Sequence, residues 1–370
     1  MAKIAAAVML GPKLPIEVRE LPPPALEPNS ALLNIALSEV CGTDTHLHQG
    51  HLAGVPYPIV PGHVSVGTIA NIRGTLTDVN GKRFREGDFV TFLDVHGTCG
   101  RCWYCLVAKA ATRCPERKVY GVTYGLADGP SGGWAQSLYL KPNTRCLSLE
   151  GVDAERFMAG GCSLPTALHA VERAEIGLGD SVLVLGSGPV GLSMIICALL
   201  QGAHQVLCIG APESRLQTAK AVGAHATLDF SGRTEIEQIE WVRQFTGGRG
   251  ADITLEATGD PRAVVSAMRC TRDAGRVVIV GQYTNVGDVS FNPHLDLNMK
   301  HLDLRGCWGS DFSHAYRAVQ LMSNPRISDR WSAIPVKRYG LHQADSALAS
   351  VAMGDARKAL IDPSVGIKRN

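Results

Sequence analysis

Four cysteines crowd into sixteen residues as Cys99-x2-Cys102-x2-Cys105-x8-Cys114. Two-residue gaps let thiolates on one loop turn to a common centre, and four of them make a closed tetrahedral site with no room for substrate. The chemistry is therefore a structural zinc that fixes the loop, with free or redox-active thiols as the competing reading. A second set of ligand types lies apart in sequence. It comprises Cys41 in Cys41-Gly42-Thr43-Asp44-Thr45-His46, His63 in Pro61-Gly62-His63-Val64, and Cys162 in Gly160-Gly161-Cys162-Ser163-Leu164-Pro165-Thr166. Taken singly, a buried cysteine or histidine is more often packing than ligand.

The third chemical feature is a glycine-rich turn. Val182-Leu183-Val184-Leu185 runs into Gly186-Ser187-Gly188-Pro189-Val190-Gly191 and then into a helical stretch to Leu200. Between strand and helix this pattern predicts a dinucleotide site spanning Gly186, Gly188, Pro189, Val190 and Gly191. Gly186 makes the turn, Gly188 lets backbone approach pyrophosphate, and Gly191 permits close packing. At the end of the next strand, where a carboxylate would hold the ribose 2′-hydroxyl, stands Gly210. Its lack of charge admits a 2′-phosphate, with Arg215 as positive partner, which tilts the reading to NADP over NAD. Glu213 reaching the ribose is the alternative.

Around these residues, the first 150 read as short strands broken by Pro22-Pro23-Pro24, Pro58, Pro61-Gly62, Gly87-Asp88 and Gly129-Pro130. From about 165 to 305, β-branched runs alternate with helical stretches. Candidate parallel strands are 182–185, 205–209, 226–229, 252–256, 276–280 and 302–307, which predicts a doubly wound α/β fold. After Gly309 a helix near His314–Met322, a strand near Ile334–Val336, a helix near Leu341–Met353 and a strand at Ala359–Asp362 are expected. This tail is too short for a core of its own and should pack on the N-terminal domain. The expected domains are thus 1–160, 161–305 and a return segment, 306–370.

Bulk properties exclude several classes. A net charge of +2 on 370 residues, with no basic stripe, argues against nucleic acid. The longest apolar run, Val190 to Leu200, is too short to span a bilayer, and the N-terminus reads as a strand rather than a signal peptide. Eleven cysteines, four of them clustered, suit metal binding in a reducing cytoplasm better than a disulfide framework.

Taken together, Cys-Gly-Thr-Asp with His46 five residues after Cys41, Gly62-His63, Gly87-Asp88-Phe89-Val90, the four-cysteine loop, the nucleotide turn and the closing Arg357-Lys358-Ala359-Leu360-Ile361-Asp362-Pro363 closely resemble the zinc-containing medium-chain alcohol dehydrogenases. The resemblance covers nearly the whole chain. It implies a β-rich GroES-like catalytic domain beside a Rossmann domain, and hydride transfer between an alcohol or its carbonyl and NAD(P). It also implies a catalytic zinc on Cys41, His63 and Cys162, a ligand set that keeps a fourth position open. By the same resemblance Thr43 bonds the substrate hydroxyl, His46 passes its proton outward, and Asp44 orients the His63 ring. Thr166 lies against nicotinamide and Lys358 near the cofactor phosphates, and the protein forms a homodimer or homotetramer. His48 and His51 are read as surface residues.

The chain departs from the pattern at Val64, where the family usually has glutamate after the ligand histidine. The segment Asn71 to Glu86 is a few residues long, and the fourth loop cysteine comes one residue late. Competing functions are a zinc-free reductase, a polyol dehydrogenase, which commonly has glutamate where Cys162 stands, and a non-catalytic dinucleotide-binding or redox-sensing protein.

Overall fold

A computed structural model describes residues 3–366. The chain forms two compact units: one holds the residues through Cys162, Asp311–Ser328 and the stretch from Pro335, the other Ser163–Ser310 with Asp329–Ile334.

The first unit is built on a seven-stranded sheet whose longest strand, Ser30–Val40, pairs antiparallel with Ser65–Arg73, Ser137–Leu140 and Lys358–Ile361. Period-two alternation serves two cores from this one strand. Ala31, Leu33 and Ile35 pack with Ile69, Val90 and Leu138, while Leu32 and Val40 join Val8, Trp134, Ala359 and Ile361. The C-terminal strand is locked in by the register Ala359↔Val40, Leu360↔Glu39 and Ile361↔Ser38. That pairing sets residue 358 directly beyond the strand end that carries Cys41.

The second unit is the doubly wound sheet. Its strands β1 (Ser181–Leu185), β2 (Gln205–Gly210), β3 (Ala226–Asp229), β4 (Ala251–Glu256), β5 (Thr271–Ile279) and β6 (Asp303–Gly306) run parallel in the order β3-β2-β1-β4-β5-β6. Both faces are covered by helices, so the strands are apolar almost throughout, and β1 and β2 are wholly buried. Helix starts follow local chemistry. Thr234 and Glu237 form a reciprocal capping box, and Asp260 caps a helix whose first residue is Pro261.

Three expectations shift. β5 begins at Thr271, five residues before the expected start at 276, because the Thr271 hydroxyl bonds Thr254 at 2.6 Å and draws the segment into the sheet after a bulge. The strand expected at 334–336 is Val336–Tyr339, since Asp329–Ala333 coils into a short 3-10 turn. Residues 329–334 also leave the expected return segment for the nucleotide unit. There Trp331 is fully buried and its Nε1 donates to Ser193 Oγ at 3.3 Å. Among the described residues no helix is long and apolar enough to cross a membrane.

Candidate metal and dinucleotide sites

Cys41 directly follows the strand Ser30–Val40 and caps the helix Gly42–Gln49, which the left-handed Gly50 (φ 78°) stops. His63 lies in the loop before Ser65–Arg73, and Cys162 in the turn after the helix Ala154–Gly160. All three belong to the first unit, and their ligand atoms lie within 4.8 Å of one another. Cys41 Sγ and His63 Nε2 are 3.9 Å apart. Tetrahedral bonds of about 2.3 Å to sulfur and 2.0 Å to nitrogen require ligand separations of about 3.5–3.8 Å, so the donors fit a zinc ion.

The electrostatics are those of a cation-ready cluster. A hydrogen bond from the Cys162 thiol, and then the charge of His63, pull Cys41 well below the ordinary thiol value against its burial. The same bond, with burial, pushes Cys162 up. Burial disfavours the charged His63 ring, yet the Cys41 thiolate outweighs it and lifts the imidazole to about 10.

Asp44 does not act as the resemblance implied. It is fully buried, but its Oδ2 accepts the Cys41 amide at 2.8 Å and its Oδ1 the Gly62 amide at 3.4 Å. His63 Nδ1 is buried with no hydrogen-bond partner. Each carboxylate oxygen accepts a backbone amide, one at the helix start and one beside His63, so the side chain ties the two ligand-bearing segments together rather than orienting the ring.

Thr43 and His46 stand three apart on the helix Gly42–Gln49 and so share a face. His46 Nδ1 is 3.2 Å from His51 Nδ1, a contact that sequence reasoning missed by treating His51 as plain surface. The local signal was there in the five-residue spacing, one helical turn plus the bend at Gly50. His48 Nε2 instead lies 3.2 Å from the Leu14 carbonyl oxygen.

Lys358 is also a correction. It is 1% exposed, and its ammonium is taken up by the equally buried Glu39 carboxylate inside the first unit rather than held out for a phosphate. Glu39 belonged to no motif and was overlooked. Only the register between the first long strand and the last one reveals it.

The four loop cysteines converge as well, their sulfurs within 4.8 Å and Cys99 to Cys114 at 3.6 Å. Backbone amides of Cys99 and Cys102 point at loop sulfurs, each at 3.3 Å. The Arg101 amide is the chief cause that brings Cys99 down to about 7, while desolvation raises Cys105 to about 12. Four such sulfurs match a closed zinc site.

In the second unit a cavity of about 510 Å³ opens at the end of β1 and β2, lined by Gly186, Gly188, Gly210, Arg215, Thr258 and Arg262 among others. Gly186 has φ 110° and sits against the Ala257 carbonyl. A Cβ on Gly191 would lie 1.9 Å from the Gly186 carbonyl oxygen, whereas one on Gly188 would meet open space. Pro189 and Val190 open the helix Pro189–Gln201, whose amides face the turn. A Cβ on Gly210 would stand 2.4 Å from Ser187 Oγ, so Ser187 is the reason no side chain ends β2. Glu213 turns along its own helix to Gln217. Arg262 is held by Asp260 at 2.6 Å. Thr166 lies on the helix Ser163–Ala174, in its first turn.

A sheet of this order with a glycine turn, in one chain with a unit carrying a two-thiol, one-imidazole cluster, defines a zinc-binding dehydrogenase. The family model described as zinc-binding dehydrogenase matches residues 189–324, and that of the alcohol dehydrogenase GroES-like domain matches 27–151. The chain is 30% identical over 356 residues to the 5-exo-hydroxycamphor dehydrogenase of Pseudomonas putida, covering 95% of this chain and 96% of that protein. Among solved structures it resembles an alcohol dehydrogenase from Thermotoga maritima, with TM-score 0.92, 32% identity, and coverage of 97% of this chain and 99% of the other. A putative zinc-binding dehydrogenase from Sinorhizobium meliloti, bound to NADP, aligns with TM-score 0.84 at 25% identity, over 98% and 100% of the two chains. The chain belongs to the zinc-dependent medium-chain dehydrogenase/reductase family, as a zinc-type oxidoreductase.

Proposed function

We propose that the protein is an alcohol dehydrogenase that exchanges a hydride between an alcohol and a nicotinamide dinucleotide, NADP in preference to NAD. The observation that carries this is the convergence of Cys41, His63 and Cys162 in one cluster, the first two buried and Cys162 half-buried. These three would hold a catalytic zinc, and Cys99, Cys102, Cys105 and Cys114 a structural one. Bound there, zinc supplies a Lewis acid that makes an alcohol hydroxyl acidic near neutrality.

The chain's own groups do the rest. Thr43 accepts the hydroxyl proton and hands it to His46, which faces the exposed His51. The C–H electron pair leaves as hydride for the nicotinamide, so proton and hydride are both accounted for. Thr166 lies against the ring. The turn Gly186–Gly191 takes the pyrophosphate, and Arg215, with an uncharged Gly210, suits a 2′-phosphate. In the reverse direction the same relay returns the proton to a carbonyl. None of the eleven cysteines is in a disulfide, which suits a reducing cytoplasm, and family resemblance supports a homodimer or homotetramer.

The test is a panel of primary, secondary, aromatic and polyol substrates with both nicotinamides, run on the wild type and on Cys162→Ala. Turnover with simple alcohols, abolished in the variant while dinucleotide binding survives, is expected. Polyols alone being oxidised would move the assignment to a polyol dehydrogenase. No turnover with any of them would overturn it in favour of a non-catalytic binding role.

A further inference from the structure

Glu39 is 1% exposed, and its carboxylate grips the Cys162 turn at two points. Oε2 accepts the Cys162 amide at 2.6 Å, while Oε1 lies 3.3 Å from Cys162 Sγ and also meets Lys358 Nζ. Lys358, equally buried, donates in addition to the Gly160 carbonyl at 3.3 Å. The intervening residue is Gly161, at φ 47°, where a Cβ would stand 2.2 Å from Glu39 Oε2 and 2.7 Å from Lys358 Nζ. Only glycine leaves room for this grip. The backbone of Glu39 is fixed too, its amide donating to the Val64 carbonyl and its carbonyl accepting Trp134 Nε1, both at 2.9 Å.

A buried ion pair is weak evidence for stability, because two apolar residues would hold the same fold as well or better. Its place suggests another purpose. Glu39 lies at the end of the strand Ser30–Val40, two residues before Cys41, and holds the Cys162 turn across a gap of 123 residues. Lys358 balances a carboxylate that would otherwise face a metal-bound thiolate at close range in a poorly hydrated site.

We propose that Glu39 and Lys358 are positioning residues for the catalytic metal. Glu39 clamps the Cys162 amide so that the sulfur faces Cys41 and His63, and Lys358 offsets the carboxylate's repulsion of that sulfur. The inference rests on the assignment of these three residues to zinc. It predicts a specific non-additivity: removing Lys358 alone harms metal retention more than neutralising both partners.

The experiment compares full-length wild type, Glu39→Gln, Lys358→Met and the double variant. Zinc stoichiometry is measured, then the rate of zinc transfer to a chromogenic chelator, then the thiolate-to-metal absorption of cobalt(II)-substituted protein. Outer contacts of this kind change metal affinity by about 10–100-fold. Lys358→Met should release the catalytic metal that much faster and shift the cobalt band. The double variant should release it more slowly than Lys358→Met, and the zinc of the four-cysteine loop should leave at the wild-type rate in every protein. Wild-type release rates and cobalt spectra in both single variants would overturn the proposal, as would a double variant worse than Lys358→Met. If Lys358→Met fails to fold, Glu39→Gln decides: a shifted cobalt band and faster release support the clamp, and unchanged values refute it. A wild type that binds one zinc only would instead remove the assignment of Cys162 to metal, and the clamp with it.

Discussion

Glu39 and Val64 are hydrogen-bonded neighbours, the amide of Glu39, on the strand Ser30–Val40, donating at 2.9 Å to the carbonyl of Val64, just before the strand Ser65–Arg73. Residue 64 is where the family usually places a glutamate beside the ligand histidine. In this chain a carboxylate sits on the residue opposite, so an acidic side chain still reaches the cluster of Cys41, His63 and Cys162, but on the side of Cys162 rather than His63.

Asp44 ties the Cys41 and Gly62 amides, so its loss should loosen two ligands together. Asp44→Ala is expected to weaken retention of the catalytic zinc by about 10–100-fold, leaving the loop zinc in place. Metal analysis after dialysis against a mild chelator checks this. Two zinc ions retained as in the wild type would show that the tie is dispensable.

His46 is held below its ordinary value, chiefly by burial and then by the neighbouring charge of His51, with Cys41 opposing. A relay histidine must be neutral to accept a proton, so alcohol oxidation should fall only as pH drops below about 6.5. In His51→Gln that depressing interaction is gone, the His46 value rises, and the acid limb of the kcat/KM profile moves to higher pH. A limb that stays put or moves to lower pH contradicts the pairing.

Ser187 occupies the space that a side chain at 210 would need. Gly210→Asp alone should therefore weaken both dinucleotides, while Ser187→Gly with Gly210→Asp should turn preference to NAD. Arg215→Ala should raise KM for NADP by about 10–100-fold, the worth of one charge-assisted hydrogen bond, and leave NAD nearly unchanged. Steady-state kinetics with both cofactors distinguishes these outcomes, and equal effects of Arg215→Ala on the two would dismiss its phosphate role.

Burial pushes the thiols of Cys146, Cys197, Cys208, Cys270 and Cys307 up to about 12. They should stay silent to a thiol reagent at pH 8 in the native protein, since the thiolate is the reactive form. Stripping zinc should release the cysteines of the 99–114 loop, with Cys99 the fastest because its value is about 7. Mass-spectrometric mapping of the labelled positions reads this directly, and early labelling of the five buried thiols would refute it.

How much of this was legible in the sequence depends on the range of each signal. The glycine turn, the four-cysteine spacing and the six parallel strands are written in short windows, and they led directly to the fold class. The trio of Cys41, His63 and Cys162 could be assembled only through family resemblance, because 121 residues separate its ends in the chain numbering. The Glu39–Lys358 pair spans 319 residues and has no motif at either end. Its existence depends on the register Leu360↔Glu39, which no local pattern encodes. Asp44 was noticed but given the wrong partner, since a carboxylate at the start of a helix has nearby amides that compete for it. Ser187 was passed over as the variable residue of the glycine motif, although its hydroxyl decides what can stand at 210.

The strand Lys358–Ile361 has a bearing on assembly. Cys41, His63 and Cys162 all precede residue 358 in the chain, yet the cation that balances their surroundings reaches Glu39 only when this strand has joined the sheet beside Ser30–Val40. With the strand unpaired, Glu39 stands uncompensated next to Cys162. On the proposed assignment, the seat for the catalytic ion is therefore finished by closure of the sheet and not by its three ligands alone.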